Sequence, residues 1–226
     1  MIGVLPDIAP FLIRYEHFAR EADRLFERIR GQYPDLVTCR KQCGSCCHAL
    51  FDLSLVEALY LNKAFGERFP EGAMRAAILD AAGTVDRHTA RIKRKAFKES
   101  QDGKGSNDIL AEMATLAVRC PLLDEEEHCL LYDARPVTCR LYGIPTAIGG
   151  KAYTCGKTGF IQGMPYPTVA LDKMQGHLHS LSEELAAAIG SSYTQLAGMY
   201  VPVSTSLLTV YDAAYLGVGG ISQEKD

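Results

Sequence analysis

Several common signatures are missing from this sequence of 226 residues. No apolar run approaches the roughly 20 residues that a membrane-spanning helix needs. The first segment has no basic stretch and soon reaches Pro6, Asp7 and Pro10, so it does not resemble a signal peptide. We therefore predict a cytoplasmic protein without a membrane segment, in a compartment that keeps thiols reduced.

An excess of either charge is also missing, because 24 basic residues face 27 acidic ones, for a net charge of -3. This near balance argues against a bulk nucleic-acid binder. The one basic run, at 87–98, shares its helix with a less polar stripe and predicts a solvated face. Patterns for a P-loop, a dinucleotide fold or a nucleophilic triad are absent as well, which leaves catalytic residues unassigned.

Cysteine is what the sequence does have. Its eight cysteines fall into two sets, the first within nine residues and the second after a long gap: Cys39, Cys43, Cys46 and Cys47, then Cys120, Cys129, Cys139 and Cys155. In a reducing compartment such sets indicate metal or redox chemistry more than structural disulfides. Their spacing does not match the paired units of a zinc finger. The three-then-two spacing of the first set lets thiolates converge on one face of a cluster, as in iron–sulfur ligation.

The adjacent pair Cys46 and Cys47 limits how the first set can act. Neighbouring side chains point to opposite sides of a strand and diverge by about 100° in a helix. These two thiols are therefore not expected to ligate one metal atom together. We predict that Cys47 points toward the second set, or lies beside the site as a non-ligand thiol. Ligands drawn from both sets would tie the two halves of the chain together.

The cysteine residues also allow other interpretations. Radical S-adenosylmethionine enzymes use the same three-then-two spacing, but they place it after the first strand of a strand–helix barrel and put an aromatic residue where this chain has Ser45. His48 and His128 could replace a thiolate, although each is better explained as a polar neighbour. One or two cysteines, such as Cys47 or Cys155, could simply be small buried apolar residues.

Apolar periodicity predicts that most of the chain is helical. The predicted helices cover 9–30, 54–65, 72–100, 109–116, 172–189 and 205–216. A β-hairpin is predicted at 120–132, a turn or short helix at 135–140, and an irregular run at 145–167. We expect a mainly α fold with small β elements (α+β), in which helices pack around a metal-organised, cysteine-rich irregular region. One domain would span 1–221, followed by a disordered tail at 222–226.

The cysteines and the residues around them form a longer motif. It reads Cys39-x3-Cys43-x2-Cys46-Cys47, then Cys120-Pro-Leu-Leu, then Cys129-x-Leu-Tyr-x2-Arg135-Pro-x2-Cys139-Arg140. This motif resembles the YkgJ-type cysteine-cluster family, also described as the CxxCxxCC zinc- or iron-chelating proteins. The resemblance implies that all eight cysteines bind metal and that Arg135 and Arg140 lie beside the cofactor. At that position a guanidinium could offset the negative charge of a cluster bound by thiolates. Alternatively, the two arginines form ion pairs elsewhere.

Flagellin lysine N-methylase is similar in the cysteine region alone and is considerably longer. This sequence has no glycine-rich loop that would bind S-adenosylmethionine, so we do not predict methyl transfer for this chain. Three functions remain: an iron–sulfur protein for electron transfer or protein modification, a zinc-binding structural or interaction protein, and a metal-trafficking or metal-sensing protein. A 4Fe–4S cluster is preferred over Zn²⁺. The partner would be a protein substrate or redox protein, and oligomeric state and any enzymatic role stay open.

Overall fold

The computed structural model describes residues 7–219, apart from the side chains at 107, 110, 111 and 114. Within these residues the helices are α1 (Ala9–Gln32), α2 (Leu55–Arg68), α3 (Ala73–Gln101), α4 (Ser106–Ala114), α5 (Val137–Leu141), α6 (Leu171–Ala188) and α7 (Val203–Leu208). Single 3-10 turns lie at Ser45–His48, Tyr132–Ala134 and Leu196–Gly198. None of the described helices is long and apolar enough to cross a membrane.

The described strands are short and form two small sheets. In one sheet β1 (Asp52–Leu53) pairs antiparallel with β5 (Val201–Pro202). In the other, β2 (Thr146–Ile148) lies between β3 (Lys151–Tyr153), which is antiparallel, and β4 (Val169–Ala170), which is parallel. The predicted fold class, mainly α with small β elements, is confirmed.

The helical side of the molecule is built on an apolar core. In α1 the buried residues recur every three or four positions, which gives the helix one buried face. That face packs on α2, α5 and α6. The largest fully buried side chains at this contact include Tyr15, Leu178 and Leu185. A second apolar group joins α2, α3 and α7.

Three local predictions were wrong. The predicted hairpin at 120–132 is a tight loop that contains only an isolated bridge between Leu123 and Cys129. Asp124 accepts two backbone hydrogen bonds inside that loop, which closes it before strands form. The run at 145–167 is not wholly irregular, because β2 and β3 flank Gly149 and Gly150, whose positive φ angles of 56° and 76° suit a two-residue hairpin turn.

The helix predicted at 205–216 ends early, at Leu208. The side chain of Asn62, in α2, donates hydrogen bonds to the carbonyls of Ser206 and Thr209 at 2.8 and 3.1 Å. These carbonyls would accept from the following residues if the helix continued. A distant side chain thus ends α7. The predicted tail at 222–226 lies outside the described residues, and the single domain over 1–221 stays a prediction.

Candidate metal centre

The adjacent cysteines lie in a 3-10 turn at Ser45–His48, where both Cys46 and Cys47 are buried. The turn begins after Gly44, whose carbonyl accepts a hydrogen bond from the Cys47 amide at 2.9 Å. A β-carbon at Gly44 would stand 2.1 Å from Oε2 of Glu127. The loop at 124–127 therefore packs directly against this turn.

The second cysteine set reaches the turn through backbone pairing. The amide of Cys120 donates to the carbonyl of Cys47 at 2.7 Å, and the amide of Val118 donates to the carbonyl of His48 at 3.0 Å. Cys129 follows because its bridge with Leu123 brings both ends of the tight loop together. Segments some seventy residues apart in sequence thus lie side by side.

Helix α5 brings Cys139 to the same place. The carboxylate of Glu57, in α2, accepts a hydrogen bond from the Val137 amide at 3.0 Å, two residues before Cys139. The same side chain accepts hydrogen bonds from the amide and the hydroxyl of Ser54 at the start of α2. Glu57 is fully buried, and burial raises its pKa against the effect of these hydrogen bonds. One buried carboxylate therefore fixes the first turns of two helices.

Five thiols form one continuous chain of contacts. The thiol of Cys47 lies next to those of Cys46, Cys120 and Cys129, which pack in the same group. Cys139 packs in this group as well, next to Cys46. Cys47 thus points toward the second set, as the sequence predicted, although it also touches its neighbour. A cavity of about 50 Å³ lies against these thiols and Arg135.

The remaining three cysteines lie around this chain of five. Burial, together with the smaller effects of the nearby Cys43, Cys46 and Cys155, raises the pKa of Cys39 to about 11. Cys43 contacts the hydroxyl of Ser45 at 3.5 Å. All eight cysteines are free thiols within the described part of the chain. The structure therefore gathers both predicted sets in one region.

Close packing of the thiols moves their pKa values apart. Hydrogen bonds with Cys139 and Cys47 lower the pKa of Cys46 to about 3, whereas burial acts in the opposite direction. Hydrogen bonds with Cys120 and Cys129 raise the pKa of Cys47, and a hydrogen bond with Cys46 raises that of Cys139. One thiolate is stabilised because its neighbours keep their protons. A bound metal cation would replace those protons.

The donor chemistry fits a metal bound by thiolates, since sulfur dominates the region. Within residues 7–219, however, no three cysteine, histidine, aspartate or glutamate side chains surround a common point as metal ligands do. The thiols contact one another in a chain instead. To bind a metal they must lose protons, give up these mutual hydrogen bonds and turn toward it.

The two arginines implied by the family resemblance have different surroundings. Arg140 is buried and pairs with Asp23, and it also donates to the carbonyls of Asp133 and Arg135. Its charge is thus used in an ion pair with α1. Arg135 has its guanidinium 3.7 Å from the centre of the Tyr132 ring.

Arg135 is the arginine whose charge reaches the thiols. Its positive charge lowers the pKa of Cys39, Cys46 and Cys129, in each case beside larger effects of burial or hydrogen bonding. The two roles that the sequence left open are therefore divided between the arginines. Arg135 faces the thiols, and Arg140 makes the ion pair.

The two histidines beside the cysteines lie against carboxylates. Nε2 of His48 is 3.9 Å from Glu127, and Nδ1 of His128 is 3.6 Å from Glu126. Sequence reasoning missed Tyr142, which packs against the buried thiols. Its position three residues after Cys139, near the end of a helical turn, was the available signal. No local sequence pattern indicated the hydrogen bond between Glu57 and the amide of Val137.

Comparison with protein-family models gives one finding that bears on this region. The model named CxxCxxCC, described as a "Putative zinc- or iron-chelating domain", matches residues 38–156. This range covers more than half of the chain and contains all eight cysteines. The match supports metal binding. Comparisons with curated proteins and with solved structures gave no match.

Proposed function

The chain belongs to the CxxCxxCC family, and on that premise we propose that thiolates from its eight cysteines, four to a cluster, hold a 4Fe–4S cluster. The cluster would serve electron transfer or support a protein-modification reaction. Its partner would be a redox protein or a protein substrate in the cytoplasm. The observation that carries this proposal is the chain of five contacting thiols that unites both cysteine sets.

The charge and burial of the donors are suited to the cluster. A structural zinc ion and a 4Fe–4S cluster each take four ligands, so the presence of eight thiols is compatible with both. A cluster bound by four thiolates is anionic, and the guanidinium of Arg135 supplies positive charge beside the thiols. Burial of Cys46 and Cys47 would keep water from the cluster, a factor that sets its reduction potential.

A zinc protein is the second candidate, and thiol contact is the observation that favours it. Tetrahedral zinc with bonds of about 2.3 Å holds its sulfurs roughly 4 Å apart. Neighbouring thiols, such as those of Cys47, Cys120 and Cys129, already lie close together. In this case the metal would be structural and the protein would act by binding a partner. Metal trafficking or sensing is less favoured, because it needs exposed ligands and Cys46 and Cys47 are buried.

Purification without oxygen, followed by metal analysis and a visible spectrum, tests the proposal. We expect a brown protein with iron and sulfide in equal amounts, bleached by air. A colourless protein with stoichiometric zinc would establish the second candidate instead. A protein free of metal, with eight intact thiols and a normal circular dichroism spectrum, would contradict both. The control is Thr138→Ala, which alters the neighbour of Cys139 without removing a thiol and should keep the metal.

A further inference from the structure

We propose that a polar cleft beside Cys39 binds a small anionic molecule that carries carboxylate or phosphate groups. The cleft lies between α1, the loop at 39–41 and the segment 132–142. Its volume is about 730 Å³, which is within the usual range for small-molecule sites. Binding there does not depend on the metal proposed above.

The charges that line the cleft do not cancel. Three of its arginines are taken up by carboxylates of α1, in the pairs Arg20–Glu16, Arg30–Glu27 and Arg140–Asp23. Three further cations, Arg40, Lys41 and Arg135, make no ion pair within residues 7–219. Asp133 is the one other acidic residue of the lining. The cleft therefore keeps a positive charge after its internal pairs are counted.

Two of these cations lie on the same aromatic ring. The guanidinium of Arg135 is 3.7 Å from the centre of the Tyr132 ring, and Nζ of Lys41 is 5.3 Å from it. The ring stabilises each cation, but the two positive charges repel each other. Nε of Arg135 donates to the Tyr132 carbonyl at 2.9 Å, which fixes the guanidinium. An anion that contacts both cations would relieve the repulsion.

The geometry also indicates the kind of group. A guanidinium offers two parallel donors to a carboxylate or phosphate, and a lysine adds a point charge. Tyr60 and Tyr132 line the same cleft and supply aromatic surface for an uncharged part of the ligand. Cys39 lies on the cleft wall, so a bound molecule would stand next to the thiol region.

Isothermal titration calorimetry at low ionic strength, on the protein as purified without oxygen, tests the site. Pyrophosphate and citrate are the probes, so that the two titrations distinguish a phosphate ligand from a carboxylate ligand. Lys41→Ala should weaken binding at least about tenfold, because a charge-assisted contact is lost. The matched control is Lys151→Ala, which removes an exposed lysine on β3, outside the cleft, and should bind as the unaltered protein does.

The outcomes separate this inference from the proposed function. The inference is overturned if neither probe binds at millimolar concentration. It is also overturned if Lys41→Ala and Lys151→Ala weaken probe binding equally. Metal content is measured on the same samples and should be equal in both variants. A preparation without metal that still binds a probe through Lys41 would contradict the proposed cofactor and support the cleft.

Discussion

The helical side of the molecule, formed by α1, α2 and α6, and the thiol region, formed by residues 39–48 and 117–142, are stabilised in different ways. The helical side buries large apolar side chains such as Tyr15, Leu178 and Leu185. Such burial favours folding with no ligand present. In the thiol region the apolar group buried around the sulfurs is small and consists of Cys46, Cys47 and Leu123. Other buried residues of this region, such as Leu122, Leu131 and Leu141, pack into the two larger apolar cores.

This difference suggests how metal binding and folding are coupled. Where apolar burial is small, the free energy of metal binding can contribute to folding directly. We therefore expect the thiol region to depend on its metal and the helical side to be independent of it. The first two predictions below each change one side and measure both, and the last two change a contact between the sides.

The largest effect is expected from Cys46→Ser, which removes the thiol that joins Cys47 to Cys139. Metal content should fall from stoichiometric to near zero, because this buried thiol contacts both cysteine sets. Hydrogen exchange should become fast at 44–48 and 123–129, which surround the thiols, and stay slow in α1 and α6. Metal analysis and exchange mass spectrometry provide the two measurements.

A matched change in the outer set completes this test. Cys155→Ser removes a thiol that is not among the five contacting ones. If Cys155 is a ligand, metal is lost here too; if it is only a neighbour, metal is retained. Retention of metal by Cys46→Ser would contradict the central position of this thiol. Uniformly faster exchange in both regions would contradict their independence.

The reverse change is Leu185→Ala, in the core of the helical side. Leu185 is fully buried, so its truncation should lower the free energy of unfolding by about 2–5 kcal/mol. The metal content of the folded protein should stay the same. Chemical denaturation gives the free energy, with Leu208→Ala, at a partly exposed leucine, as the control that should change it much less. Loss of metal from folded Leu185→Ala would show that the two regions are not separable.

The two sides also differ in how far the sequence predicts them. Helix α1 was expected at 9–30 and lies at Ala9–Gln32, because its apolar spacing is a local signal. Helix α2 was likewise expected at 54–65 and lies at Leu55–Arg68, with a capping box of Ser54 and Glu57 at its start. The early end of α7 was not predictable, since the side chain responsible, Asn62, lies more than 140 residues away in sequence.

In the thiol region the donors could be predicted from the sequence, but their contacts could not. The adjacency of Cys46 and Cys47 predicted the direction of Cys47, because it follows from local backbone geometry. That Cys139 would meet Cys46 depends on how α5 packs, which no spacing encodes. The role of Arg140 depends in the same way on Asp23, which lies 117 residues away in sequence.

A smaller effect is expected from Gly143→Ala, at the contact between the two regions. Gly143 has a φ angle of 104°, and a β-carbon there would stand 2.7 Å from Cβ of Cys39. Backbone strain should lower the free energy of unfolding by about 1–3 kcal/mol, and the collision should also displace Cys39. We expect faster reaction of one thiol with a thiol-specific dye and a lower metal content.

The control for this change is Gly150→Ala. Gly150 has a φ angle of 76°, and a β-carbon there would have no atom within 4 Å. Gly150→Ala therefore introduces the backbone strain without the steric clash. Stability should fall in both variants, whereas thiol reactivity should rise in Gly143→Ala alone. Equal thiol reactivity in the two would mean that Cys39 adjusts to the added carbon.

The smallest effect concerns Glu57, the carboxylate that links α2 to α5. Burial raises its pKa above the ordinary 4.5, so the native state binds its proton more tightly than the unfolded state does. The stabilisation from this proton is present below pH 4.5 and is lost as pH rises through the raised pKa. Glu57→Gln cannot titrate, so its stability should fall less with rising pH over that interval.

At neutral pH, Glu57→Gln should lower the free energy of unfolding by on the order of 1 kcal/mol, because an amide group would face the buried amide of Val137 or Ser54. Thermal unfolding at a series of pH values measures both effects. Glu67→Gln, at an exposed position of the same helix, should leave the pH profile unchanged. If the profiles of Glu57→Gln and Glu67→Gln coincide, Glu57 does not carry the pH dependence. A fall in metal content in Glu57→Gln alone would show that this hydrogen bond to Val137 also positions Cys139.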